Sequence, residues 1–171
     1  MIKNRLKLKK NIKANCLKKE KKYRPNVAAV ILSSKYPLEC KIMIARRNDM
    51  HNIWQFPQGG IDEGEKPIKA LLRELKEEIG TDEVELIDEY PNILRYDFPK
   101  NTKCNFHYDG QEQKYFLLKL KNQAIINLKT PKPEFDLYEF VSIDDFFKRI
   151  NYFKKPIYTK VIKYFQNKGY L

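Results

Sequence analysis

Apolar side chains recur along this chain with two different periods, and the change from one to the other marks out its elements. Residues 23–34, YRPNVAAVILSS, form a near-continuous apolar run, as expected of a strand covered on both faces. Residues 41–47, KIMIARR, predict a second strand and residues 54–56 a short third. The period then shifts. From Pro67 to Ile79, the apolar residues Ile68, Leu71, Leu72, Leu75 and Ile79 fall at i, i+3, i+4, i+7 and i+11, one stripe of an α-helix. Pro67 suits its first turn and Gly80 its C-terminal stop. Further strands are expected at 84–87, 93–98, 113–120, 124–128 and 137–141. Two helices close the chain, one capped near Ser142 and Ile143 and one over 156–166. Strands mixed with helices at this spacing predict an α/β sandwich, a mixed sheet between helices, with no internal repeat.

Composition narrows the class. A chain of 171 residues has room for one domain with a real core. With 42% hydrophobic and 33% charged residues and only six glycines, it is neither disordered by composition nor collagenous. No apolar run approaches the roughly 18 to 20 residues that span a bilayer, and the first residues are basic throughout where a signal peptide needs an apolar stretch. A cytoplasmic protein with no membrane anchor is therefore expected. Cys16, Cys40 and Cys104 form no CxxC pair and read as ordinary thiols.

The charge is unevenly divided. Residues 1–22 hold ten basic side chains against Glu20 alone, nine of the chain's net twelve positive charges. The remaining 149 residues carry 24 basic and 21 acidic groups. The sequence thus divides into a basic, flexible arm over 1–22 and a nearly balanced domain over 23–171. Such an arm favours polyanions such as RNA, DNA or an anionic membrane surface, or serves only as a solubilising tail.

The helix at Pro67–Ile79 carries a second pattern. On a third face, apart from its apolar stripe and from the face of Lys66, Lys69, Arg73 and Lys76, lie Glu74, Glu77 and Glu78, three carboxylates within about one turn that repel each other. A hard divalent cation, Mg²⁺ or Mn²⁺, offsets that repulsion and keeps sites open for phosphate oxygens. A solvated acidic face balanced by lysines is the plainer reading of these three residues by themselves.

Their surroundings decide between the two. Residues 59–81, GGIDEGEKPIKALLRELKEEIGT, resemble the Nudix box: a Gly, five residues, Glu, seven residues, then Arg-Glu-aliphatic-x-Glu-Glu-x-Gly and an aliphatic residue. Gly59, Glu65, Arg73, Glu74, Leu75, Glu77, Glu78 and Gly80 match; Thr81 replaces the final aliphatic. The resemblance implies an α/β/α sandwich and hydrolysis of a nucleoside diphosphate linked to another moiety. By the same resemblance Glu77 and Glu78 are core metal ligands and Glu74 a ligand that also serves as candidate base, with the choice of base left open. The carbonyl of Gly59 is a further candidate ligand. Glu65 and Arg73 are read as a structural ion pair shaping the loop before the helix, and Gly80 as structural.

Segments outside the box, WQFPQGG at 54–60, YRPNV at 23–27, ARR at 45–47, RYDFPK at 95–100, QKYFLL at 113–118 and PEFDLYEFV at 133–141, are similar to the bacterial RNA pyrophosphohydrolase group of that family, also known as dinucleoside polyphosphate hydrolases. This likeness implies a further metal carboxylate at Glu134. It places Arg24 and Lys154 at the 5′ phosphates, Arg47 and Phe153 at a base and Tyr96 near the phosphates. Asn151 stands where an apolar base contact is expected, so the preferred 5′ nucleotide stays open. The implied activity is Mg²⁺-dependent removal of pyrophosphate from 5′-triphosphorylated RNA, which initiates mRNA decay. A dinucleoside polyphosphate hydrolase is the nearest alternative, and a noncatalytic RNA-binding module the alternative of a different class.

If residues 1–22 contact RNA, deleting them weakens affinity for long RNA at low salt and removes a salt-dependent term of about −0.7 per neutralised phosphate. Hydrolysis of a dinucleoside polyphosphate, too short to reach the arm as well, stays nearly unchanged. Binding measured across a salt series, with both substrates and both proteins, checks this. An unchanged salt slope removes RNA binding from the arm.

Overall fold

The computed structural model describes residues 20–99 and 107–171. Most of the expected arm, with Cys16 and Cys104, lies outside the described residues. Eight strands and three helices are formed among those described. In chain order they are β1 (Tyr23–Leu32), β2 (Ile42–Arg47), β3 (Trp54–Gln55), β4 (Gln58–Gly60), α1 (Pro67–Ile79), β5 (Val84–Glu89), β6 (Leu94–Asp97), β7 (Gly110–Leu120), β8 (Phe135–Val141), α2 (Ile143–Arg149) and α3 (Lys155–Asn167).

The continuous apolar run of β1 is explained by its place at the centre of the sheet. Val27, Ala29 and Ile31 face one layer and Ala28, Val30 and Leu32 the other, all of them fully buried. On the first face lie Ala70, Leu71, Leu75 and Ile79 of α1. On the second lie Phe146 of α2 and Ile157, Tyr158, Val161, Ile162 and Phe165 of α3. This is the α/β/α sandwich the periodicity predicted. The sheet runs β3-β2-β1-β7-β5, with β4 also pairing β1, β6 pairing β7 and β8 pairing β2. One junction is parallel: β1 lies along β7 from Tyr23↔Gly110 to Leu32↔Lys119. The other pairings are antiparallel.

Two expectations differ from the structure. No strand forms at 124–128; the backbone there is irregular. Ala124, Ile126 and Leu128 alternate because they pack against the α1 layer, while the chain reaches its neighbours through single bonds such as Asn127 N–H to the Ile79 carbonyl, 2.9 Å. Side-chain alternation records packing, and a strand also needs a ladder. Conversely, β4 is a strand without an apolar pattern. Its residues QGG pair with β1 at Asn26↔Gly60, Val27↔Gly59 and Ala28↔Gln58, which brings the start of the Nudix-like segment against the central strand.

Helix α1 begins at Pro67, with no side-chain cap from Lys66, and stops at Gly80, whose φ is 74°. A side chain there would be strained and crowded, since a Cβ would lie 2.7 Å from the Asn127 carbonyl oxygen. Thr81, the departure from the aliphatic pattern, is buried, and its hydroxyl accepts the Glu83 N–H at 3.2 Å. No helix among the described residues is long and apolar enough to cross a membrane.

Gly80→Ala is expected to lower the unfolding free energy by about 1–3 kcal/mol, the range for a non-glycine residue held in the left-handed region. Urea unfolding of the two proteins measures it, and an equal midpoint and slope would show that the turn relaxes.

Candidate active site

A cleft of about 440 Å³ opens where β1, β4 and α1 meet the ends of β2, β6 and β7 and the segment between α2 and α3. Its residues come from far apart in sequence because the central strands all end there. Arg24 and Asn26 arrive on β1, Arg47 on β2, Gln58–Gly60 on β4, Glu74 on α1, Tyr96 on β6, Glu134 just before β8, and Phe153 and Lys154 just before α3.

One side of the cleft is built on Arg73. Its guanidinium donates to both carboxylate oxygens of Glu65 (3.1 and 2.8 Å), to the Gly60 carbonyl (2.9 Å) and to Glu74 (2.8 Å), with Glu77 at 3.5 Å. Glu65 in turn accepts the Asp62 N–H at 3.1 Å. The loop between β4 and α1 is thereby tied to the helix. Gly59 is needed for space: a Cβ there would lie 1.7 Å from the Glu74 carboxyl carbon.

The three helix glutamates meet different surroundings. Glu77 is mostly exposed, Glu74 half-buried, and Glu78 buried at 3% exposure. Glu78 Oε2 accepts the Gln58 backbone N–H at 2.9 Å, whereas its Oε1 is buried with no hydrogen-bond partner. The carboxyl group of Glu134 lies close to it, a second acidic group beside the same site. Burial first, and Glu134 next, push the Glu78 carboxyl well above the usual range. Burial likewise raises Glu74, which Arg73 partly counters. No three His, Cys, Asp or Glu side chains among the described residues close into a cage, as Arg73 draws Glu74 and Glu77 toward itself. An orphaned carboxylate oxygen in an all-oxygen set nonetheless fits a hard cation that keeps several waters and borrows substrate oxygens.

The opposite side is cationic and aromatic. Arg47 forms a fork-to-fork pair with Asp49 (2.7 and 2.6 Å) and lies 3.7 Å from Glu134. Arg24 packs its guanidinium over Gly60. Phe153 is 43% exposed beside Tyr96 (ring centroids 5.5 Å) and Tyr152 (5.4 Å), whereas Phe146 of α2 is fully buried. Tyr96 is buried, and its hydroxyl donates to Gln111. Lys154 is 5% exposed; its ammonium donates to Gln58 Oε1 at 2.5 Å and sits 5.4 Å from the Tyr96 ring centre. Burial, with Arg47 adding to it, pushes this lysine down to about 7.

The structure brings Gly59, Glu74, Glu134, Arg24, Arg47, Tyr96, Phe153 and Lys154 to the lining of one cleft; Glu78 is buried against the Gln58 backbone, and Glu77 lies on the exposed face of α1 beside Arg73. Sequence reasoning missed the amides: Asn26, Gln55, Gln58, Gln111 and Gln113 are polar residues at or beneath the cleft, and four of them are buried. Their signal was polar residues inside strand-forming runs.

A NUDIX domain model matches residues 22–161. The chain is 65% identical over 156 residues to a Campylobacter jejuni protein called RNA pyrophosphohydrolase, covering 91% of this chain and all of that one. It is 53% identical to a Helicobacter pylori protein of the same name, covering 88% and 98%. Among solved structures it resembles a C. elegans Ap4A hydrolase in a binary complex (TM-score 0.63, 20% identity, 85% and 98% covered). It also resembles the E. coli dihydroneopterin triphosphate pyrophosphohydrolase (0.61, 19%, 77% and 90%). These two share the fold.

Between about pH 7 and the ordinary lysine range, the unfolded chain binds a proton that folded Lys154 does not, so stability from this residue rises with pH across that interval. The unfolding free energy of the wild type relative to Lys154→Met is expected to increase from about pH 6 to about pH 10. Denaturant titrations at several pH values check the sign, and a flat difference would mean that Lys154 is not held in a charge-disfavouring site.

Proposed function

The chain belongs to the Nudix family of hydrolases, and from that premise we propose that it removes pyrophosphate from the 5′ end of triphosphorylated RNA, using Mg²⁺ or Mn²⁺. The observation that carries this reading is the sorting of charge across one cleft. Among the described residues, a buried carboxylate with an orphaned oxygen lies on one side of Gln58, and a buried ammonium without a carboxylate partner lies on the other. A polyphosphate with its cation supplies what each lacks. The names of the relatives at 53–65% identity support RNA as the carrier of that polyphosphate. The setting that follows is the cytoplasm, where removal of the 5′ pyrophosphate prepares a transcript for decay.

Glu74, Glu77, Glu78 and Glu134, with the Gly59 carbonyl, would hold the divalent ion, which neutralises charge on the phosphates and lowers the pKa of water. Glu74, half-buried and raised by that burial, is suited to take a proton from the attacking water. Arg24 and Lys154 hold phosphate oxygens, the latter as an ammonium stabilised by the anion it meets. Tyr96 backs Lys154 with its ring and gives the phosphates a polar neighbour. Phe153 and the plane of Arg47 provide surfaces on which a base near the 5′ end stacks.

Purified protein with Mg²⁺ is expected to release pyrophosphate from triphosphorylated RNA faster than it cleaves diadenosine polyphosphates; the reverse order would make the dinucleotide the main substrate, and cleavage of neither would leave an RNA-binding module. In the same assay Glu77→Gln and Glu78→Gln should each lower turnover by orders of magnitude, and Glu134→Gln less, since water replaces a peripheral ligand more easily. Near-normal turnover in either of the first two would remove that residue from the core set, and an equal loss at Glu134 would add it.

A further inference from the structure

Lys154 lines the cleft, yet the group that holds its ammonium is a neutral amide. Among the described residues no carboxylate lies within ion-pair distance of its ammonium. The side chain of Gln58 therefore has to present its oxygen. An amide turned end for end would put N–H groups against the ammonium, and the two orientations have nearly the same shape.

The selection of the oxygen is built beneath the cleft. Gln58 Oε1 also accepts Gln113 Nε2 at 3.0 Å. Gln113 donates from the same nitrogen to Asn26 Oδ1 at 2.6 Å, and its own oxygen accepts the Tyr115 hydroxyl at 2.6 Å. Asn26, Gln113 and Tyr115 are all buried, the last two completely. A buried phenol has one hydrogen to give, and burial pushes its ionisation well up, so Tyr115 remains a donor. Donor direction then runs one way, from Tyr115 to Gln113 to Gln58, and the last acceptor in the line is shared with Lys154. Each amide is oriented by the one behind it. The pattern costs desolvation of three polar groups in the interior, and in the arrangement present each of the three has a partner.

We propose that Gln113 is a positioning residue: held by the Tyr115 hydroxyl and donating to Gln58, it turns the Gln58 amide oxygen toward Lys154 and so fixes the ammonium where the phosphate of the substrate binds. This rests on the reading of Lys154 as a phosphate contact. Gln113 itself is fully buried beneath the cleft and does not line it. Without it, the Gln58 amide turns freely and the ammonium loses the acceptor that holds it. Phosphate binding weakens in the ground state and transition state alike, which appears in KM rather than kcat.

The test is a double-mutant cycle on a triphosphorylated oligoribonucleotide with Mg²⁺, comparing wild type, Gln113→Met, Lys154→Met and the double variant. Gln113→Met is expected to raise KM about tenfold, with kcat within about twofold, and to add nothing in the Lys154→Met background. Additive losses in the double variant, or a fall in kcat at constant KM, would overturn the proposal. So would a Lys154→Met protein of unchanged KM. Tyr115→Phe, which keeps both Gln113 donors, is expected to raise KM about threefold and again to lose its effect beside Lys154→Met; this arm decides the matter should Gln113→Met fail to fold, an additive loss counting against it. If the wild type cleaves only diadenosine tetraphosphate, the RNA assignment fails by itself, and the same cycle run on that substrate decides the role of Gln113, because the polyphosphate is common to both.

Discussion

Three carboxylates crowded where the loop after β4 meets α1 would drive their own supports apart, and the guanidinium of Arg73 is what holds them together. Its planar fork reaches Glu65, Glu74, Glu77 and the Gly60 carbonyl together, which a lysine's single ammonium has no geometry to do. It compensates charge on α1 and also fixes the loop that carries β4 onto β1. Gly59 completes the arrangement by leaving room for the Glu74 carboxylate on the backbone. The acidic face of α1 and the loop that leads into it both depend on this one cation.

Across the cleft the interior holds opposite charges in separate, dry positions. Burial raises Glu78 and lowers Lys154, so each group is disfavoured in its ionised form while standing alone. Gln58 lies between them, its backbone N–H on the carboxylate and its side-chain oxygen on the ammonium. Folding has thus removed water from the two groups that, on the function proposed above, a polyanion and its counter-cation engage. That cost is met on folding and is not repeated at each turnover.

The layers were legible because burial writes itself into periodicity. The doubly covered β1 reads as an apolar run, and α1 as a stripe ended by Gly80. The carboxylate set was legible only through its resemblance to a spaced pattern, since three glutamates in a Lys-rich helix carry no such meaning alone. At residues 124–128 alternation misled, because extended packing against a helix imitates the side-chain pattern of a strand without its ladder. The amides were illegible for a different reason. Asn26, Gln58 and Gln113 acquire meaning from partners 55 and 87 positions away, and no local pattern encodes which amide faces which.

The parallel junction of β1 with β7 has a consequence in time. One edge of β1 can be covered early, by β2 and β4, but the other waits for a strand made 87 positions later, at Tyr23↔Gly110. At ribosomal speeds of about 5–20 residues per second, that wait lasts on the order of 4 to 17 s. Throughout it the nascent chain carries Val27–Leu32, the most apolar strand of the protein, with an unpaired edge.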